Sequence, residues 1–127
     1  MSGRKRISST DAPQESGGYS QAVRAAGLLF LSGQAPFAPS GELVSGSIAE
    51  QVRQTLSNLD AVARAGGSSL ARAVRVGVYL RDLNDFQEMD TAYRAFFGDA
   101  DFLPARTTIQ SDLVGFDVEI DAVVVAD

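Results

Sequence analysis

Two charged residues lie inside apolar or β-branched strings of this 127-residue chain: Arg106 in Pro-Ala-Arg-Thr and Glu119 in Val-Glu-Ile. A strand with such flanks is at least half buried, and a buried charge is costly unless it is paired or used. Arginine is a planar, always-charged fork that matches a carboxylate bidentately, which suits a small 2-oxo or 2-imino acid. A carboxylate such as Glu119 can orient or deprotonate a water molecule. Arg106 and Glu119 are therefore the first candidates for chemistry.

Both charges also allow a structural interpretation. Arg106, which shares a strand face with Thr108 by alternation, can form a salt bridge within the fold, and Glu119 is one candidate partner. Glu119 can equally be a surface or subunit-interface charge. Asp121 follows it on the same strand face and has the same two options. The residues alone leave these alternatives open, because ion pairs with perturbed pKa values are often structural.

The chain contains no histidine and no cysteine. The commonest general base and the strongest side-chain nucleophile are therefore missing, so any reaction must use Arg, Asp or Glu, Tyr, Ser or Thr, and water. A disulfide framework, a redox role and a Cys/His zinc site are excluded, and no stretch matches a phosphate- or dinucleotide-binding loop. The sequence predicts no metal and no cofactor. Its net charge of −5 argues against nucleic acid as a partner.

Two further polar positions could serve a ligand. Tyr19 follows the flexible pair Gly17-Gly18, and its phenol can donate a hydrogen bond to a substrate oxygen. Ser32-Gly33 ends an apolar strand, where exposed N–H groups can hold a polar group. More often such a tyrosine belongs to the edge of a core, and such a pair is a strand-ending turn.

Hydrophobic spacing predicts five strands and two helices, in the order β-β-α-β-α-β-β. Capping boxes beginning at Ser47 and Asn84 predict the helix starts, and Gly66 and Gly98 their ends. The predicted strands cover residues 20–26, 28–34, 73–80, 105–109 and 114–125, with Val74, Val76, Val78 and Leu80 on one face of the third. Each helix has one apolar stripe, so we expect an α+β fold with both helices on one face of a single mixed sheet. The uncovered face of that sheet predicts an oligomer.

The chain is expected to be one domain over residues 17–127, preceded by an N-terminal arm or edge strand over residues 1–16. A polar stretch follows the basic cluster Arg4-Lys5-Arg6, so no signal peptide is predicted. No run reaches transmembrane length. We therefore expect a soluble cytoplasmic protein with no membrane partner.

Taken together, several strings resemble the RidA (YjgF/YER057c/UK114) family of enamine/imine deaminases, from about residue 15 to the end. They are Gly18-Tyr19-Ser20-Gln21-Ala22, Leu31-Ser32-Gly33-Gln34-Ala35-Pro36, Asn58-Leu59, Leu83-Asn84-Asp85-Phe86, Tyr93-Arg94-Ala95-Phe96-Phe97, Pro104-Ala105-Arg106-Thr107 and Val118-Glu119-Ile120-Asp121-Ala122. The resemblance implies a fold like that of a small trimeric chorismate mutase, with ligand clefts between the subunits of a homotrimer.

The implied activity is that of a 2-iminobutanoate/2-iminopropanoate deaminase-like hydrolase, which converts 2-imino or 2-enamino acids into 2-oxo acids and ammonia. The resemblance makes Arg106 the grip on the substrate carboxylate, Glu119 the residue that positions water, and Tyr19 a third catalytic candidate. Ser32 and Gly33 are implied substrate-binding residues.

Four positions depart from the family pattern and leave the substrate preference open. Asp90 stands where a helix Asn often lines the cleft, and Thr108 where Cys is common, so both are candidate substrate-binding residues. Gly17-Gly18 replaces Gly-Pro, and Leu113-Val114 replaces Leu-Pro. The alternatives are a non-catalytic trimer that binds a small carboxylate metabolite, and a deaminase for a larger aminoacrylate or aminomuconate-type substrate. A ribonuclease is disfavoured by the net charge and the absence of histidine.

Overall fold

The computed structural model describes residues 3–98 and 100–127. Six strands form one sheet in the order β1-β2-β3-β6-β4-β5, in which only the β4–β5 pair is parallel. The elements are β1 (Lys5–Ile7), β2 (Ala22–Ala25), β3 (Leu28–Gln34), α1 (Ile48–Ala65), β4 (Ala73–Leu80), α2 (Phe86–Phe96), β5 (Ala105–Gln110) and β6 (Val118–Val125), with 3-10 turns at Leu70–Arg72 and Leu83–Asp85.

The start of α1 follows from its capping box. The Ser47 hydroxyl accepts a hydrogen bond from the Glu50 N–H at 3.2 Å, and the Glu50 carboxylate accepts one from the Ser47 N–H at 3.2 Å. These bonds satisfy N–H groups that a helix start leaves without partners. Gly66 caps the other end. The prediction for this helix is confirmed.

The core lies between the two helices and one face of the sheet. In β6 every second residue, Val118, Ile120, Ala122 and Val124, is buried on that face. The buried stripe of α1, which includes Val52, Leu56, Leu59 and Val62, packs against it. Both helices therefore cover one face of a single mixed sheet, as predicted.

Local irregularities correct three sequence predictions. Val74 is 43% exposed, because a register shift between Ala73 and Arg75 turns it away from the core face. The box expected at Asn84 does not cap α2. Instead, Asp82 accepts a hydrogen bond from the Asn84 N–H at 2.9 Å and caps the preceding 3-10 turn.

The third correction concerns the last strand, which begins at Val118 and not at Val114. Val114 is 88% exposed, and Gly115 has a φ of 91°, which takes the backbone out of strand geometry. Gln51 on α1 then fixes the entry to β6. Its side chain donates to the Asp117 carboxylate at 2.9 Å and accepts from the Asp117 N–H at 2.9 Å.

The second face of the sheet carries no helix in the part of the chain that the structure describes. Its apolar members include Phe30 and Ile109, which are exposed, and Val123 and Val125, which are half-buried. We call this surface the open face. Within the N-terminal segment, β1 pairs with β2 and forms one edge of the sheet.

Candidate active site

A cavity of about 400 Å³ lies where the open face meets three loop segments, and we call it the Glu119 cavity. Its volume falls within the usual range for small-molecule sites, roughly 300–1,000 Å³. Its lining includes Gln14, Tyr19, Gly33, Phe37, Phe116 and Glu119. The buried side chain of Asn58 shapes one wall, because it donates hydrogen bonds to the carbonyls of Ala35 and Phe37 at 3.2 and 2.7 Å.

Glu119 reaches this cavity from β6. Its neighbours in the strand, Val118 and Ile120, are buried on the core face, so alternation directs Glu119 to the open face. No residue among 3–98 and 100–127 gives the Glu119 carboxylate a hydrogen bond or an ion pair. Burial raises the pKa of Glu119 above its ordinary value, and the nearby Asp121 carboxylate adds to the effect. The arrangement is typical of a carboxylate available to accept a proton.

Gly33 provides the room for that carboxylate. A Cβ placed on Gly33 would lie 2.5 Å from the Oε2 atom of Glu119 and 3.2 Å from its Cδ. Any other residue at position 33 must therefore displace the carboxylate or distort β3.

Unlike the Glu119 carboxylate, the Asp121 carboxylate has partners among the described residues. Its carboxylate accepts a hydrogen bond from the Tyr79 hydroxyl at 2.9 Å and lies 3.8 Å from the Arg75 guanidinium. The hydrogen bond from Tyr79 to Asp121 also raises the pKa of that tyrosine. Of the two roles open to Asp121, these contacts favour the structural one.

Tyr19 and the pair Ser32-Gly33 differ in which of their polar groups are left to bind a ligand. Tyr19 is 46% exposed at the cavity, and its hydroxyl accepts a hydrogen bond from the Ser16 N–H at 3.2 Å. Ser32, by contrast, donates its hydroxyl to the Ser20 carbonyl at 2.6 Å and its N–H to the Gln21 carbonyl at 2.9 Å. Both of its donors therefore join β3 to the segment before β2, and Gly33 is the member of this pair that lines the cavity.

Arg106 lies on the opposite side of the sheet. In the parallel β4–β5 pair it stands beside Val76, which is fully buried on the core face. Its guanidinium donates to Asp90 on α2 at 2.8 Å and lies over the rings of Tyr93 and Phe86, with 4.6 and 5.4 Å to the ring centroids. The salt bridge considered for Arg106 is therefore made with Asp90 and not with Glu119.

Two hydroxyls near this pair lack partners. The Oγ1 of Thr108, on the same face of β5 as Arg106, and the Oη of Tyr93 are buried without a hydrogen bond in the described part of the chain. Burial raises the pKa of Tyr93 to about 12, so its phenol stays protonated at neutral pH. The predicted site residues thus form two groups, Tyr19, Gly33 and Glu119 on one side and Asp90, Arg106 and Thr108 on the other.

Sequence reasoning did not assign Phe86 and Tyr93 to a site, because their spacing also fits a core stripe. The signal was present, since Phe86, Asp90 and Tyr93 are spaced i, i+4 and i+7 and so share one helix face. Phe37 and Phe116, whose rings meet edge to face at 5.9 Å in the cavity wall, lie in loops without such a pattern.

Within residues 3–98 and 100–127, no group of acidic side chains is arranged to hold a metal ion. The helices in the same ranges are also too short or too polar to cross a membrane.

The fold and these two groups of polar residues define a class: small α+β proteins with two helices on one mixed sheet and an acid-bearing cavity beside its open face. Residues 9–126 match the family model described as Endoribonuclease L-PSP. The chain therefore belongs to this family, the YjgF/RidA family, as the sequence strings predicted.

Named relatives agree with this assignment. The RutC family protein PH0854 of Pyrococcus horikoshii is 42% identical over 120 residues, which cover 92% of this chain and 94% of that protein. The 2-iminobutanoate/2-iminopropanoate deaminase of Mus musculus is 39% identical, with 96% of this chain and 91% of that protein covered. Among solved structures, E. coli TdcF with bound serine has a TM-score of 0.90 and 32% identity, and the match covers 97% of this chain and 99% of that one.

Proposed function

We propose that this protein hydrolyses 2-imino and 2-enamino acids to 2-oxo acids and ammonia, at sites formed between copies of the chain. One observation carries the proposal. Arg106 and Glu119 lie on opposite faces of one sheet. Arg106 is suited to grip a carboxylate, and the Glu119 carboxylate has no hydrogen bond or ion pair with any of the described residues. Support comes from the mouse relative, which is named as such a deaminase, and from TdcF, which was solved with serine, an amino acid.

The proposed assembly is a homotrimer. The open face exposes apolar side chains such as Phe30 and Ile109, and burying such a surface against a copy is favourable. A cyclic arrangement uses two different surfaces of each subunit at every interface. It can therefore bring Arg106 of one chain to the Glu119 cavity of the next.

The chemistry needs no side-chain nucleophile, because the carbon of a protonated imine is already electrophilic. Arg106 holds the substrate carboxylate and so fixes the position of that carbon. Glu119 holds a water molecule and takes its proton as the water oxygen bonds to the carbon. The nitrogen of the resulting carbinolamine accepts the proton from Glu119, and ammonia leaves as the hydroxyl group gives up its proton and becomes the carbonyl of the 2-oxo acid. The Tyr19 hydroxyl and backbone N–H groups near Gly33 can stabilise the polar groups that develop.

The direct test follows ammonia and 2-oxo acid release from imines generated in situ from several amino acids. We expect the native protein to accelerate release over the spontaneous rate. Glu119→Gln keeps the shape of the side chain but removes the base, and general-base catalysis typically contributes about 10²–10⁴-fold. Binding of a stable 2-oxo acid should survive in this variant, because Arg106 is intact. Joint loss of binding, turnover and melting temperature would instead make Glu119 structural.

A mixing experiment tests whether the site is shared. Arg106→Lys and Glu119→Gln proteins are refolded together in equal amounts, so that about one quarter of the interfaces pair a native Arg106 with a native Glu119. Activity should recover to about a quarter of the native value. The control replaces the second partner by the Arg106→Lys/Glu119→Gln double variant, which cannot form a native site and should give no recovery. Recovery in the control, or none in the test mixture of verified hybrids, would contradict a shared site.

The same assays decide between the remaining alternatives. A protein that binds 2-oxo acids without accelerating imine hydrolysis is a carboxylate-binding module. Preference for a larger aminoacrylate or aminomuconate-type substrate would widen the substrate class. The family description names an endoribonuclease, but the net charge of −5 and the lack of histidine disfavour RNA cleavage by this chain. The cytoplasmic location expected from the sequence stays a prediction.

A further inference from the structure

Arg106 is surrounded by an acidic side chain and two aromatic rings, which are more contacts than the binding of a carboxylate requires. Helix α2 presents Phe86, Asp90 and Tyr93 on one face, so an anionic side chain stands between two rings. The Arg106–Asp90 ion pair is well shielded, with both side chains only 19% exposed. A partly buried pair of this kind is screened less by salt than a surface pair.

The pair leaves part of the guanidinium unused. Asp90 accepts from Nη1 of Arg106, and the structure shows no hydrogen bond from Nε or Nη2 to any residue within 3–98 and 100–127. Those two nitrogens form one edge of the planar fork, which is the edge that a carboxylate can bind with two parallel bonds. Asp90 therefore orients Arg106 and limits the directions from which an anion can approach it.

The charge of Asp90 has a second consequence. Hydrogen bonds from Arg106 and, to a smaller extent, Arg94 hold the pKa of Asp90 below its usual range, so it is ionised at neutral pH. Arg94 donates to its other oxygen at 3.0 Å. An anion bound to Arg106 thus meets, within the same chain, the negative charge of Asp90 beside the positive charge that attracts it. Arg94 compensates only weakly, because its side chain is mostly exposed.

We propose that Asp90 is a positioning residue that sets the affinity of this site for its substrate carboxylate, by holding Nη1 of Arg106 and offsetting its charge. The proposal rests on the proposed function, since it takes Arg106 as the carboxylate anchor. Asp90 itself does not contact the substrate in this scheme. It acts through Arg106, because it holds the guanidinium in position and because its negative charge weakens the binding of an anion there.

Because the proposal predicts the direction in which the affinity changes, two substitutions can test it. Asp90→Asn keeps an oxygen that can accept from Nη1 but removes the negative charge. Coulomb's law for two unit charges about 6 Å apart, at an effective dielectric constant of about 40–80, gives roughly three- to tenfold tighter binding of a 2-oxo acid. Arg94→Gln removes the charge that partly compensates Asp90 and leaves the Asp90–Arg106 bond in place. It should weaken binding, by about twofold, because an exposed charge is strongly screened.

The experiment is calorimetric titration of the full-length protein with 2-oxobutanoate, accompanied by melting temperatures. The matched control is Asp60→Asn on α1, since Asp60 also pairs with an arginine four residues on, at 2.7 Å, but lies away from Arg106. We expect a lower Kd in Asp90→Asn, a higher Kd in Arg94→Gln and an unchanged Kd in the control.

The outcomes separate this inference from the proposed function. Unchanged or weaker binding in Asp90→Asn overturns the inference alone, and so does a joint fall of affinity and melting temperature, which is the result of a merely structural role. If Asp90→Asn does not fold, Arg94→Gln decides by the sign of its effect on Kd. Tight binding without imine hydrolysis overturns the proposed activity and leaves the inference standing. Absence of binding in the native protein and every variant overturns both.

Discussion

Replacing Gly33 by alanine tests the position of the Glu119 carboxylate with the smallest possible change. The new Cβ would lie 2.5 Å from Oε2 of Glu119, whereas ordinary van der Waals contact begins at 3.4 Å, so the oxygen must retreat by about 0.9 Å. The atom in the way is the far end of a flexible side chain, and the backbone at Gly33 is not in the left-handed region. The fold should therefore tolerate the change, while a misplacement of about 1 Å can cost about 10²-fold in rate.

The assay combines turnover, 2-oxobutanoate affinity and melting temperature. We expect Gly33→Ala to lose about two decades of turnover with little change in the melting temperature. Gly18→Ala is the matched control, because a Cβ there meets nothing within 4 Å and the residue lies near the same cavity. The substitution at Gly18 should leave turnover intact and can raise the stability by about 0.4–1 kcal/mol.

A double-variant cycle provides the decisive comparison. If Gly33 acts through Glu119, adding Gly33→Ala to Glu119→Gln should cost little further turnover, because the displaced group no longer acts as a base. Full additivity of the two losses would refute this reasoning and assign Gly33 a separate contact with the substrate. Native turnover in Gly33→Ala would show that the carboxylate position does not control the rate.

Three further predictions concern other parts of the molecule. Arg106→Lys should lower kcat/KM by about one to two decades, since losing a charged hydrogen bond costs roughly 1.5–3 kcal/mol; activity near the native value would remove Arg106 as the anchor. The kcat/KM profile should fall on the acid side, because only the ionised form of Glu119 accepts a proton and burial within the chain raises its pKa; Glu119→Gln should lack this limb, and a limb kept by the variant would refute the assignment. Ser47→Ala should destabilise the protein by about 1 kcal/mol in denaturant unfolding, because the α1 capping box is lost; an unchanged midpoint would show that the box is energetically unimportant.

The secondary structure was largely readable from the sequence, because its determinants are local. Alternation in β4 and β6, the box at Ser47 and the stripe of α1 depend on residues within a few turns of each other, and they predicted the two helices and the sheet they cover. Two of the three errors arose where a long-range contact overrides the pattern. Val74 leaves the core face at a bulge opposite β6, and Asp117, pinned by Gln51, sets where β6 begins.

The sequence by itself also determined which residues can do the chemistry. The absence of histidine and cysteine leaves few reactive groups, and the apolar neighbours of Glu119 specify its face, since Val118 and Ile120 must be buried.

Only the tertiary structure decided where Arg106 points. Its strand, Ala-Arg-Thr-Thr-Ile-Gln, has no clear apolar alternation, so neither face is marked as the buried one. The parallel pairing with β4 places Arg106 beside Val76, on the helix side, where Asp90 is its partner and Glu119 is out of reach. The register between distant strands is a property of the assembled sheet, and the separation of the two charges follows from that register.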